Sequence, residues 1–356
     1  MTGDNHYDFI ICGQGIAGTL LAWNLLESGK RVLIIDEENV TSSSRVAAGI
    51  VIPVTGRRIV KTWMAEECLK EALLTYSALE KLTGESFYKE LPVLELLNSV
   101  KQKNDWQERI TDENISAYVN DIVGRDEIPT GIEAKSGGVE LKSCYWLDTK
   151  KFLVALRKYF IAENILVSER FDINDAVVTQ YLITCKNYTA SKIIFCTGYK
   201  KISDWFEGVP FQFSKGEILT IKCEGLTEEY IINNGIFMLP IGNHHFKVGS
   251  TYEWKNLDCA PTISGKEKLI ADLKTFLNFS FEVTNHEASV RPTIKERRPV
   301  IGLHPIAKNI GIMNGLGTKG VLLAPWLSKH FSQHLVAGNS LNEEVDVNRF
   351  LFPGKI

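Results

Sequence analysis

The chain has 356 residues, more than one compact core usually holds, which sets an expectation of one large or two medium domains. Hydrophobic residues make up 44% and charged residues 23%, the balance of a soluble globular protein. Lys+Arg number 40 against 43 Asp+Glu, a net charge of −3, so no basic excess exists to grip nucleic acid. The 7 cysteines form no C-x-x-C pair, and several sit in apolar runs, as expected of buried thiols in a reduced chain rather than a disulfide framework or zinc site. No signal-like segment precedes the first element, and no run approaches the roughly 18 apolar residues of a membrane helix. A cytoplasmic location is expected.

In chain order, Tyr7 to Cys12 reads as a buried strand, followed by a glycine-rich turn, a helix through Glu27 closed by Ser28-Gly29, and a strand Arg31 to Ile35 ending at Asp36. This β-turn-α-β unit opens a parallel, doubly wound sheet. Ser42 to Gly49 is small and irregular, and a long helix is expected from about Ile59 to Leu82. Residues 86–144 alternate short strands (Leu91 to Leu97, Val139 to Leu141) with a polar helical piece near 103–118. Asp148 is placed to cap a helix running to Phe160. Strands follow at Ile165 to Ser168 and Ile193 to Cys196, and then in succession from about 211 to 250, with a hairpin tip at Gly242-Asn243-His244-His245. A helix near 265–278 precedes the strand Phe281 to Val290. The tail reads as strand Ile310 to Met313, glycine turn 315–320 and helix Val321 to Leu335.

The Gly13-Gln14-Gly15-Ile16-Ala17-Gly18 turn stands between strand and helix, where such a run binds a dinucleotide. Gly13 permits the tight turn, Gly15 lets a pyrophosphate approach the backbone, and Gly18 allows close helix–strand packing. The free N–H groups of Ile16 and Ala17 open a helix whose dipole favours phosphate. Asp36 stands where a ribose hydroxyl is bound, with Glu37 beside it. This fingerprint leaves NAD and FAD open. The chain then departs from regular βαβ repeats, unlike most nicotinamide dehydrogenases.

Four separated segments carry a resemblance to the FAD-dependent amine and amino-acid oxidoreductases of the D-amino-acid oxidase, glycine oxidase and sarcosine oxidase type. They are the N-terminal fingerprint with Asp36; Ser44-Arg45-Val46-Ala47-Ala48-Gly49; Phe195-Cys196-Thr197-Gly198; and Arg291-Pro292 with Glu296 and Pro299, followed by Asn314-Gly315-Leu316-Gly317-Thr318-Lys319-Gly320. Val248 to Glu253 is also similar to that family's strand before its substrate-domain helix. The resemblance implies FAD as cofactor, bound by the fingerprint, Ser44, Arg45, Ala47, Ala48, Gly49, Thr197, Gly198 and the 315–320 turn. It implies an α/β fold in which a Rossmann-like FAD domain (1–85, 145–205, 292–356) interleaves with an antiparallel-sheet substrate domain (86–144, 206–291).

The implied reaction is oxidation of a C–N bond in a small amine or amino acid. The resemblance places substrate carboxylate capture on Arg291, with Lys319 or Arg58, and Tyr252 in the pocket wall. Leu316 stands where the family often has His, and Glu296 where it has Asp. A flavin dehydrogenase with a non-oxygen acceptor, a non-catalytic nucleotide-binding protein and a tRNA-modifying flavin enzyme are the alternatives. The acidic balance argues against the last. His330 and His334 share a helix face but have no third ligand nearby in sequence, and His244 and His245 read as a hairpin tip.

Overall fold

The computed structural model describes residues 6–56, 58–171, 176–179, 182–200 and 204–351. Its first large sheet has the strand order 166–167, 32–35, 6–12, 188–195, 183–185, 176–178. Strand Ile310–Asn314 also lies parallel to 188–195, and Val300–Leu303 pairs with it antiparallel. The chain thus steps outward to one side of 6–12 and later to the other. That reversal opens a crevice beyond the carboxyl ends of the strands.

Alternation along these strands sends Phe9, Ile11, Ile34 and Ile194 to one face and Ile10, Cys12, Leu33 and Ile193 to the other. Four helices cover the first face: Ile16–Glu27, Ala65–Thr83, Thr149–Ala162 and Gly320–Ala337. Their fully buried Leu20, Leu21, Tyr76, Phe152, Phe160 and Phe331 build the main core, each stabilising the fold by roughly 1.5–3 kcal/mol. Asp148 caps the third helix as expected, accepting from the Lys151 N–H at 3.0 Å.

The second large sheet is almost wholly antiparallel, in the order 282–294, 211–222, 245–249, 237–242, 231–233, 93–96, 138–141, 119–123. Helix Ile263–Leu273 packs Leu269 and Leu273 against it. The expected hairpin tip is present, with Asn243 and His244 both at positive φ. A small sheet of 50–51, 145–147 and 88–90 lies apart from the two large ones.

Several elements differ from the sequence reading: among them, the strand read to Val290 continues to Ile294 and the helix read to 278 ends at Leu273. The long helix begins at Ala65 rather than Ile59, because Val60–Lys61 pairs with Val54–Thr55 and positive φ values at Ile59 and Met64 break the helical path. The polar piece near 103–118 is two helices, Val100–Arg109 capped by Ser99 and Glu113–Ser116 capped by Asp112. Strand 188–195 starts five residues earlier than read.

Pro325 stands one turn inside the 320–337 helix. It has no N–H to give the Val321 carbonyl, four residues before it. The buried Tyr76 hydroxyl donates to that carbonyl instead, at 2.8 Å, from the 65–83 helix. Tyr76→Phe strands a buried acceptor and is expected to cost about 1–3 kcal/mol. A urea midpoint unchanged from the parent protein would contradict this role.

Candidate active site

Loops at the carboxyl ends of 6–12, 188–195 and 310–314 open into one cavity of about 1010 Å³. It lies at the top of the roughly 300–1,000 Å³ range of small-molecule pockets. Its wall includes Gly13, Gly15, Ile16, Ala17, Asp36, Glu37, Ser44, Ala47, Ala48, Gly49, Thr197, Gly198, Gly317, Thr318, Lys319 and Gly320, with Tyr252 and Arg291. Residues from four distant stretches of sequence thus share one surface.

Gly13 has φ +101°, and a Cβ there would lie 2.7 Å from the Cys196 carbonyl oxygen, so only glycine fits between the first strand and 195–197. Its N–H donates to Ile35 O at 2.9 Å. Helix 16–27 then begins without a side-chain cap or an acidic first turn. Ser44 Oγ accepts from the Ile16 N–H at 3.1 Å and brings the 44–49 segment over the turn. The 320–337 helix likewise starts uncapped and without an acidic residue, so two positive helix ends serve one cavity.

Asp36 is fully engaged. Arg157 Nη1 donates to its Oδ1 at 2.7 Å, the Glu38 N–H donates to the same oxygen at 2.8 Å, and the Gln14 N–H donates to Oδ2 at 2.9 Å. Arg157 is 5% exposed and also donates to Gln14 Oε1 and Ser168 Oγ. The sequence reading missed it. The available signal was a cation on the apolar stripe Leu153, Arg157, Phe160. Glu37 forms an ion pair with Lys200.

Four expected residues do not reach the cavity wall. Gly18 packs the helix on the turn: a Cβ there would fall 1.9 Å from Gly13 O. Gly315, at φ +78°, is packed against Ile294, which its own Cβ would strike at 2.5 Å. Arg45 pairs with Glu38 at 3.1 Å. Arg58 is exposed at a hairpin turn, where Ile59 takes the buried position and Arg109 binds its carbonyl; its neighbour Arg57 lies outside the described residues.

Arg291 and Lys319 do reach it. The Arg291 guanidinium donates to Ser250 Oγ at 2.8 Å and to Thr251 O at 3.3 Å, and lies 4.6 Å from the centre of the Tyr252 ring. Lys319 Nζ donates to Thr55 Oγ1 at 3.0 Å and to Thr62 Oγ1. Burial lowers the pKa of both, that of Lys319 to about 8. Ser250, within the Val248–Glu253 segment, lines this end, as do Asn233 and Phe237, which no local motif announced. Lys247 donates to Ala47 O at 3.4 Å from behind the 47–49 turn, with Glu287 and Asp148 as nearby charges. Cys12 and Cys196 line the wall too, but burial raises their pKa and keeps them protonated. Away from the cavity wall, His330 accepts from the Asn342 N–H and stacks on Trp326.

A doubly wound sheet with a glycine turn, an acid-ended second strand and two helix ends over a long cavity defines a dinucleotide-binding α/β protein. The profile of the DAO family, FAD dependent oxidoreductase, matches residues 8–334, and the chain belongs to that family. A glycine oxidase of Pseudomonas putida is 28% identical over 136 residues, 37% of this chain and 37% of that protein, so the match spans about a third of its length. The crystal structure of glycine oxidase from Geobacillus kaustophilus superposes with a TM-score of 0.78 at 17% identity, covering 97% of this chain and 98% of that one. Iminodiacetate oxidase from Chelativorans sp. BNC1 gives 0.78 at 18% identity, covering 96% and 98%.

The residues present fit FAD. Besides the two helix ends, the buried Thr197 Oγ1 on the cavity wall has no hydrogen-bond partner within the described protein and can bind a ligand. The Asp36–Arg157 pair gives a direct test of this end. Arg157→Met leaves Asp36 without its cation and is expected to cost about 3 kcal/mol of stability and to weaken FAD binding. Denaturant midpoints and a flavin fluorescence titration measure both, and a variant matching the parent in both would remove Arg157 from this role.

Proposed function

We propose that the chain oxidises a C–N bond in a small carboxylated amine or amino acid, using FAD. The observation that carries this reading is the pair of cations, Arg291 and Lys319, in the same cavity as the glycine turns and unmatched by any carboxylate among the described residues. Bound FAD would supply the two-electron acceptor for C–N oxidation, the substrate losing hydride from its α-carbon and a proton from nitrogen to give an imine that water would hydrolyse.

The protein's part is positioning. Arg291 offers a fork that matches a carboxylate, already held in orientation by Ser250 and Thr251. Tyr252 covers one face of that fork and narrows its access to water. The uncapped start of the 320–337 helix stabilises negative charge gained on reduction. We divide the chain into a FAD lobe of 1–85, 145–205 and 292–356 and a substrate lobe of 86–144 and 206–291. The strands of the parallel sheet all fall in the first set, and 282–294 runs across the border. Among the described residues no helix is long and apolar enough to cross a membrane, and we place the protein in the cytoplasm.

Purified protein is expected to be yellow, and its flavin absorbance to bleach anaerobically with a suitable amine. Protein that takes up no FAD would end this reading. Arg291→Ala is expected to lower kcat/KM for a carboxylated amine by roughly 10- to 100-fold. Lys319 is charged below its pKa of about 8 and loses its charge as pH rises through that value. KM for a carboxylated substrate should therefore climb above about pH 8, and Lys319→Met should abolish that limb of the profile.

A further inference from the structure

At one end of the cavity the protein balances its own charge; at the other it does not. The acidic residues in the wall are Asp36, Glu37, Glu169 and Asp204, the first three just after strands of the parallel sheet and Asp204 in the short helix 204–206. Asp36 pairs with Arg157, Glu37 with Lys200, and Glu169 with Lys186. Among the described residues, Arg291 and Lys319 hydrogen-bond to hydroxyl and carbonyl oxygens, and no carboxylate pairs with either. A half-buried cation without a counter-charge is unfavourable, so each of these two calls for an anion from a ligand.

The two cations are held by separate sets of partners. The two backbones are neighbours, since the Gly317 N–H donates to Pro292 O at 2.8 Å and Thr293 bridges Leu316. Arg291 crosses Gly216, where a Cβ would lie 1.8 Å from Nη2, and is tied to Ser250 and Thr251. Lys319 is tied to Thr55 and Thr62. The two sets of tethers share no residue and come from different strands and loops. Each head also keeps donors free: Lys319 uses two of its three N–H groups, and Arg291 retains part of its five-donor fork. Each cation thus has its own tethers and its own free donors for an anion.

We propose that the substrate carries two carboxylates, one for Arg291 and one for Lys319, flanking the C–N bond to be oxidised. The class is a secondary amine of the N-carboxymethyl amino-acid type. This rests on the reading of the cavity as a site of C–N oxidation.

The test compares iminodiacetate with N-methylglycine, the same secondary amine and carboxylate without the second acid. Anaerobic flavin bleaching gives kcat/KM for each, with a preference for iminodiacetate of roughly 10- to 100-fold expected. Lys319→Met should shrink that preference to within about threefold. Equal rates for the two amines, or a Lys319→Met loss of the same size on both, would overturn the proposal in favour of one shared carboxylate. A measurement on the parent protein alone covers the case of a misfolded variant. Thiodiacetate, which has no oxidisable C–N bond, should perturb the flavin spectrum at roughly 10- to 100-fold lower concentration than (methylthio)acetate, and equal affinities would overturn the proposal. Flavin that no amine reduces would overturn C–N oxidation, while the thiodiacetate comparison would still decide the two-anion site.

Discussion

The arrangement depends on one constraint, the parallel pairing of 6–12 with 188–195 and of 188–195 with 310–314. Ile11 sits opposite Ile194 and Ile194 opposite Gly311, so the three carboxyl ends finish level with one another. Each end then turns through glycine, at Gly13, Gly198 and Gly315, all at positive φ. Shifting any of these strands by one residue would exchange its two faces and withdraw its loop from the cavity. The helices, the second sheet and both cations are positioned relative to that common edge.

The two ends of the cavity follow different electrostatic rules. Around Asp36 the charges are paired and hydrogen-bonded, so the wall is stable before anything binds, and the ligand meets a nearly neutral, shaped surface. Around Arg291 and Lys319 the cations rest on neutral oxygens, which orient them without neutralising them. Affinity at that end is drawn from charge that folding leaves unmatched. The lowered pKa of Lys319 is the trace of that cost.

Much of the nucleotide end was legible in the sequence because its requirements are local. A glycine turn between strand and helix needs particular residues at particular spacing, and the clusters at 13–18, 49, 198 and 315–320 all fell near one surface. The finer assignments were less secure. Gly18 and Gly315 are required for packing rather than contact, and sequence spacing does not separate these reasons. Arg58 and Ile59 exchange inside and outside through a positive φ at Ile59, which no periodicity reports. Asn233 and Phe237 arrive through an antiparallel sheet whose order is set by long-range pairing, so nothing in their neighbours marks them. Tyr76 and Pro325 lie far apart in sequence and satisfy each other's needs only in three dimensions.

The level edge also orders events in time. The glycine turn at 13–18 leaves the ribosome early, but its neighbour at 197–198 follows after about half the chain and the 315–320 turn only near the end. Ile193 to Phe195, paired with 10–12 on one side, lacks its second partner strand until 310–312 has emerged. A nascent chain therefore holds a fragment of a cofactor site for most of its synthesis, with an open parallel strand edge beside it. Cofactor loading is consequently a late event, coupled to the docking of the last long helix, and a chain truncated before residue 320 would lose the complete site while retaining most of its residues.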